Sequence, residues 1–378
     1  MLAIGLMSGT SLDGIDAALI ETDGEDVVRP IAFRGEPYSD AARAELAEAT
    51  RMALTFDKPR ASPPIVAAGE LVTRAHVFAV HKLLADAGVA AKDVDVIGFH
   101  GQTIAHRPDR GWTWQIGDGA AMAKATGITT VSDFRSADVA AGGQGAPLLP
   151  VYHAALTARL DLPIAVLNLG GVANITFVAS ADSHESHEMA PEHPEGAHHQ
   201  VIAFDTGPAN GLIDSWIEAE TGARFDAGGA LAASGRIDET VLTAMLDHPF
   251  FAAPPPKSLD RSDFTIQPAR GLSAADGAAT LTAFTAATVA EALAHLPERP
   301  RRLLVAGGGR HNPTMLAMIA ARTGLAPEPT DTLGWNGDAL EGEGFAYMAV
   351  RALRGLPISF PGTTGVSTPM AGGVIDRV

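Results

Sequence analysis

The sequence contains no cysteine, which excludes a disulfide framework, a thiolate nucleophile and a thiolate-bound zinc. Carboxylates, imidazoles and hydroxyls are left to carry any chemistry. Aromatic residues are scarce at 6%, and basic residues are outnumbered, 27 Lys and Arg against 44 Asp and Glu, for a net charge of −17. Such a surface repels a phosphate backbone and an anionic bilayer, so neither nucleic acid nor a membrane is expected as a partner. No apolar run approaches the ~20 residues of a membrane span, and Met1-Leu-Ala-Ile-Gly carries no basic leader, so a cytoplasmic location is expected. Gly-Lys never occurs, and no G-x-G-x-x-G follows a strand-like run, which removes both the P-loop and the Rossmann turn as nucleotide sites.

What is plentiful is glycine, 40 of 378 residues, in a chain that is 46% apolar. This is the composition of a turn-rich globular α/β enzyme, long enough for two domains. Leu2-Ala-Ile-Gly-Leu-Met and Ile15-Asp-Ala-Ala-Leu-Ile flank Ser8-Gly-Thr-Ser-Leu-Asp-Gly, which predicts a β-hairpin with a polar tip. Helical spacing follows over Asp40–Met52 and Ile65–Ala87, and Val94–His100 reads as a buried strand ending in a polar turn. The Gly-dense stretch Ala140–Pro147 marks the expected lobe boundary, giving domains 1–140 and 141–378, with the last ~20 residues packing back on the first. Ile164–Val178 then repeats the N-terminal pattern of strand, glycine turn and strand, a weak internal duplication. Ser180–Gln200 holds five of the thirteen histidines, His184, His187, His193, His198 and His199, in a polar loop that reads as a solvated tip or a metal site. An amphipathic helix over Ala278–Leu296, a strand at Arg302–Ala306 and a helix over Asp338–Leu353 complete a βα order, from which mostly parallel sheets are expected.

Phosphate cradles need backbone N–H groups that no Cβ shields, so the glycine turns are the nucleotide candidates. The first, Gly9-Thr-Ser-Leu-Asp-Gly-Ile-Asp, adds hydroxyls and two carboxylates, a mixture suited to phosphate oxygens and hydrated Mg²⁺. A second lies at Gly170-Gly171, and a late one at Gly307-Gly308-Gly309 precedes a helix. Early hairpin, second hairpin and late glycine turn resemble the actin, sugar kinase and heat-shock chaperone superfamily. That resemblance implies an α/β fold of two actin-like (ribonuclease H-like) lobes around a nucleotide cleft.

Six stretches in order sharpen it: Gly5–Asp16, His100-Gly-Gln-Thr-Ile-Ala-His-Arg-Pro, Ser132-Asp-Phe-Arg with Gly142–Leu148, Asn168-Leu-Gly-Gly-Val-Ala-Asn-Ile, Phe204-Asp-Thr-Gly-Pro and Gly307-Gly-Gly-Arg-His-Asn-Pro. Together they resemble the anhydro-N-acetylmuramic acid kinases from residue 1 to about 366. The resemblance implies ATP and Mg²⁺ as cofactors, a homodimer, and a reaction in which water opens the 1,6-anhydro sugar while O6 takes the γ-phosphoryl group. It implies Gly9, Thr10, Ser11, Leu12, Asp13, Gly14, Ile15, Asp16, Asn168, Gly170, Gly171, Gly307, Gly308 and Gly309 as the ATP site, with Asp13 or Asp16 holding Mg²⁺ through water. The same resemblance makes Asp205 the base acting on water, with inversion at C1 expected from the geometry of inverting glycosidases.

Each assignment has a structural alternative. Asp205 is the base or caps the turn at Thr206-Gly207, and Glu341 orients the water or merely suits a first helical turn. Arg135 binds the substrate's lactyl carboxylate or pairs with Asp133 or Asp138, while His100 and Gln102 face the sugar or satisfy backbone groups. Asp13 and Asp16 hold the cation or stabilise the hairpin. Two residues depart from the family pattern, Ala209 for a usual Gly and Gly342 for a usual Ala, which bears on loop geometry. Other functions compatible with the residues are a levoglucosan-type kinase, a nucleotide-gated binding switch and an anhydro-sugar hydrolase without ATP. The switch needs a partner-binding module, for which the chain leaves little room after its last helix.

Overall fold

The computed structural model describes residues 1–180, 199–259 and 263–378. The chain forms two compact units, Met1–Ala158 with Ala339–Val378, and Arg159–Asp338. The division therefore lies at 158 rather than 140. The Gly-dense stretch Ala140–Pro147 belongs inside the first unit, and the whole of Ala339–Val378, not only the last ~20 residues, returns to it.

The first unit holds a seven-stranded sheet of β1 (Leu2–Ser8), β2 (Gly14–Thr22), β3 (Val28–Pro37), β4 (Val96–Arg107), β5 (Trp112–Ile116), β6 (Thr130–Ser132) and β12 (Val374–Asp376). Its order is β12-β6-β4-β1-β2-β3, with β5 on the far half of β4. The second unit holds β7 (Ile164–Leu169), β8 (Val172–Ser180), β9 (His199–Pro208), β10 (Arg302–Ala306) and β11 (Pro327–Pro329), ordered β11-β10-β7-β8-β9. In each, three strands form an antiparallel meander and two later ones add parallel to the first. That repeated order is the ribonuclease H-like arrangement, and it turns the weak duplication of the sequence into a structural one. The sheets are mixed and not mostly parallel, because the short glycine turns join neighbours directly and a tight turn permits only antiparallel pairing.

The first core gathers Ile4, Leu6, Ile97 and Phe99 of the sheet against Val72, Ala79 and Leu83 of the helix Pro63–Ala87. The opposite face receives the helix Leu340–Leu353 at backbone distance: a Cβ on Gly5 would overlap the Gly342 carbonyl oxygen, and one on Gly98 that of Phe345. The helix Ala274–Ala294 is the centre of the second core. It is buried on all sides and not amphipathic, which four of its threonines allow by returning their hydroxyls to backbone carbonyls, among them Thr282 to Ala278 at 2.8 Å and Thr285 to Pro208 at 3.0 Å. It alone, among the described residues, is long and apolar enough to cross a bilayer, and 78% of its apolar window is buried in this unit.

Candidate active site

The turn between β1 and β2 is built by side chains from elsewhere in its unit. Leu12 takes φ 57°, and its N–H donates to the Gly9 carbonyl at 3.2 Å. Ser11 Oγ (2.7 Å) and the Gly14 N–H (3.1 Å) donate to Asp13 Oδ1, while the Asp13 carbonyl accepts from the Tyr38 N–H at 3.0 Å. Beneath it runs a buried chain in which Tyr38 Oη meets Ser8 Oγ at 3.0 Å and Ser8 Oγ donates to Gln102 Oε1 at 2.5 Å. Gln102 Nε2 donates to the Gly9 carbonyl at 3.0 Å. Burial, eased by Ser8 and reinforced by Asp13, pushes the Tyr38 phenol up to about 12, so it keeps its proton. Gln102 thus lies in a strand, not a loop, and spends its amide on the turn at Gly9.

His100, on the same strand β4, is also buried. Its Nδ1–H donates to the Gly101 carbonyl at 2.8 Å, and Nε2 accepts from Arg135, at 3.3 Å from Nε and 3.2 Å from Nη2. Burial, then the Arg135 charge, holds the imidazole well below its ordinary value, which keeps it neutral and able to accept. Arg135 Nη1 also donates to the Gly145 carbonyl at 2.7 Å. Asp138, passed over as a site residue in the sequence, organises that loop: its carboxylate accepts from the Gly145 N–H (2.6 Å) and from Thr364 Oγ1 (2.5 Å). The structure therefore joins His100, Arg135 and the Gly142–Gly145 loop into one cluster.

In the second unit the turn Gly170-Gly171 is held by backbone. Its carbonyls accept the N–H groups of Ala209, Asn210 and Gly211 at 3.0 to 3.1 Å, consuming donors at the start of the helix Asn210–Thr221. Asn168 sits opposite Ala306 in the β7–β10 ladder. Gly307 then turns with φ 74°, and a Cβ there would strike Asn168 and lie 2.8 Å from the Leu169 carbonyl oxygen, so two of the predicted nucleotide segments adjoin. Arg310 is buried behind this turn, donating to Asp331 (2.8 Å), Asp338 (2.7 Å) and the Gly307 carbonyl (3.1 Å). Burial opposes its charge, but the hydrogen bonds to Asp338 and Asp331 outweigh it and raise the guanidinium above its usual value.

Asp205 lies near the end of β9 and is 8% exposed. Thr206 to Pro208 continue the strand, so there is no turn immediately after Asp205 for its carboxylate to cap. Instead Oδ2 accepts from the Leu259 N–H at 2.7 Å.

A model of the family described as anhydro-N-acetylmuramic acid kinase matches residues 1–377. The chain belongs to the anhydro-N-acetylmuramic acid kinase family. Relatives bearing that name include one from Rhizorhabdus wittichii, 68% identical over 377 residues, covering 100% of this chain and 99% of the relative. Another, from Zymomonas mobilis, is 54% identical with both chains fully covered, and one from Acidiphilium cryptum is 52% identical, covering 100% and 98%.

Within this member of the family both departures from the family pattern have a local account. Ala209 has φ −132°, so no left-handed penalty applies. At Gly342 a Cβ would lie 3.1 Å from that of Ala18, so the glycine suits the close seat of its helix. Glu341 is half-buried in the first turn of that helix. Among the described residues no group of three His, Asp or Glu forms a cation cage. Exposed Asp13 and half-buried Asp16 are instead the sparse carboxylate set with which Mg²⁺ binds alongside phosphates and water, so the residues fit that ion. Of the His-rich stretch, His184, His187, His193 and His198 lie outside the described residues, and His199 begins β9. Sequence reasoning missed Ser8, Tyr38, Asp138, Arg310 and the segment 257–259; for the last, Pro254-Pro-Pro-Lys was the available signal, a charge placed directly after a rigid run.

Proposed function

We propose that this chain is a cytoplasmic, homodimeric, Mg²⁺- and ATP-dependent kinase of peptidoglycan recycling that hydrolytically opens 1,6-anhydro-N-acetylmuramic acid and phosphorylates O6. The products are N-acetylmuramic acid 6-phosphate and ADP. The observation that carries this reading is the family match along residues 1–377, with Asp205 as the carboxylate of the matching Phe204-Asp-Thr-Gly-Pro motif.

Asp205 takes a proton from water as the water oxygen bonds to C1 and the C1–O6 bond breaks. The electron pair released onto O6 forms the new bond to the γ-phosphorus, and ADP leaves. No separate acid is needed at O6, because protonating it would remove the nucleophile of the second half. A positioned base of this kind contributes roughly 10² to 10⁴ in rate. Glu341 orients the water. The segment Gly9–Asp16 with Asn168, Gly170 and Gly171 receives the phosphates, and Gly307–Gly309 the adenosine. Arg135, held by neutral His100, offers its guanidinium to the lactyl carboxylate, and Gln102 acts by holding the Gly9 turn. Asp13 or Asp16 would hold Mg²⁺ through water, and the ion would neutralise phosphate charge.

The test is ADP release with MgATP and either anhydro-N-acetylmuramic acid or levoglucosan, run in ¹⁸O-labelled water. Label at C1 of the muramic product with inverted configuration is expected. Turnover confined to levoglucosan would transfer the specificity, and no ADP from either sugar would overturn the kinase reading. Light scattering on the purified protein checks the dimer.

A further inference from the structure

β9 is the edge strand of the second sheet, and what lies along its outer side at Asp205 is neither helix nor strand. The Asp205 N–H donates to the Lys257 carbonyl at 3.0 Å, and Asp205 Oδ2 accepts from the Leu259 N–H at 2.7 Å. One irregular segment, 257–259, therefore grips both the backbone and the carboxylate of this residue. A segment without its own ladder of hydrogen bonds needs an anchor to hold a carboxylate in one place.

The anchor visible here is the Lys257 side chain. It is 9% exposed, and its ammonium donates to the carbonyls of Phe250 (2.9 Å) and Phe251 (3.1 Å), which close the short helix Pro249–Ala252. It also lies 4.7 Å from the ring centroid of Phe250 and 5.8 Å from that of Phe204, the residue preceding Asp205. Phe251 belongs to the core of the second unit, so the chain of contacts runs from the core through Lys257 to Asp205. Burying an ammonium is unfavourable unless it is well solvated by the protein, and carbonyls with ring faces do that here.

We infer that Lys257 is a positioning residue for the hydrolytic half of the reaction, fixing Asp205 through the backbone of 257–259. The inference rests on the reading of Asp205 as base. Lys257→Met keeps the apolar stem and removes the donors. Displacing a catalytic group by an ångström costs about 100-fold, so kcat falls by about that factor, while KM for ATP and for the sugar change by less than about threefold. Lys257→Arg, which still donates to carbonyls, recovers part of the loss. Unchanged kcat in Lys257→Met, or KM values rising in step with its fall, overturns the inference. If that variant does not fold, Leu259→Pro deletes the N–H given to Asp205 and carries the same expectation and the same refutation. Asp205→Asn assayed in parallel separates the two levels. Turnover surviving there overturns the base reading and this inference with it, whereas turnover lost there but undiminished in Lys257→Met overturns this inference alone.

Discussion

The two units place one pair of residues at the same position of the same meander and fill it oppositely. The third residue of the second strand is Asp16 in the first unit and Asn174 in the other; facing them across the ladder are Gly35 and Asp205. The carboxylate has changed strands. The adjoining turns differ too: Gly9 to Asp13 is tied by the side chains of Gln102 and Ser11 and the Tyr38 backbone, whereas Gly170-Gly171 is tied by backbone N–H groups of the next helix. A fold that repeats thus fixes where a polar group stands, and residue choice decides what it acts on.

The largest break in this comparison comes from Asp205→Asn, which makes the second pair carboxylate-free. Turnover is expected to fall by roughly 10² to 10⁴, with nucleotide binding by titration close to wild type, because the lost group is the one proposed to act on water. Retained turnover removes Asp205 from the mechanism. Next is the backbone seat of the first sheet. Gly5→Ala forces a Cβ into the Gly342 carbonyl and should cost about 3 kcal/mol or more in denaturant unfolding, while Gly171→Ala, with nothing within 4 Å of its Cβ, should stay within about 0.5 kcal/mol. Equal costs would show that the helix seat is not rigid.

Acid should also separate the units. His76 and His153, both buried in the first, are held down to about 4 by burial, and His100 lies well below 6.5. Between pH 6.5 and about 4 the unfolded chain takes up protons that the folded unit refuses, so stability is lost as pH falls through that window. The loss is on the order of 3 kcal/mol for His76. Hydrogen exchange at pH 7 and 4.5 should lose protection in Pro63–Ala87 before Ala274–Ala294; simultaneous loss would refute the assignment. The smallest effect expected is that of Gln102→Leu, which strips partners from Ser8 and the Gly9 carbonyl. Ser8 keeps Tyr38 and the Gly9 carbonyl keeps the Leu12 N–H, so what is lost is two hydrogen bonds at about 0.5–1.5 kcal/mol each, and KM for ATP should rise about tenfold with KM for the sugar steady. The reverse pattern would return Gln102 to the sugar.

Much of this was legible from local pattern. Period-two runs around glycine turns marked both hairpins, because turns and strands are decided by neighbours in the chain, whereas Asp205 was singled out by the resemblance of Phe204-Asp-Thr-Gly-Pro to the family motif. The lobe boundary was misread since a Gly-dense loop looks like a linker whether or not Asp138 and Thr364 fold it into a domain. Ala278–Leu296 looked amphipathic because its threonines count as polar until their hydroxyls are seen turned back on the helix.

What the sequence determined by itself is therefore the list of elements and the chemistry available to them: carboxylates and glycine turns, with no thiol. Tertiary structure alone decided which carboxylate is gripped by Leu259, which amide holds the Gly9 turn, and where the chain returns to its first unit at Ala339. Those partners lie tens to hundreds of residues apart, and contacts at such range are set by packing and strand order, which leave no periodicity in the chain to read.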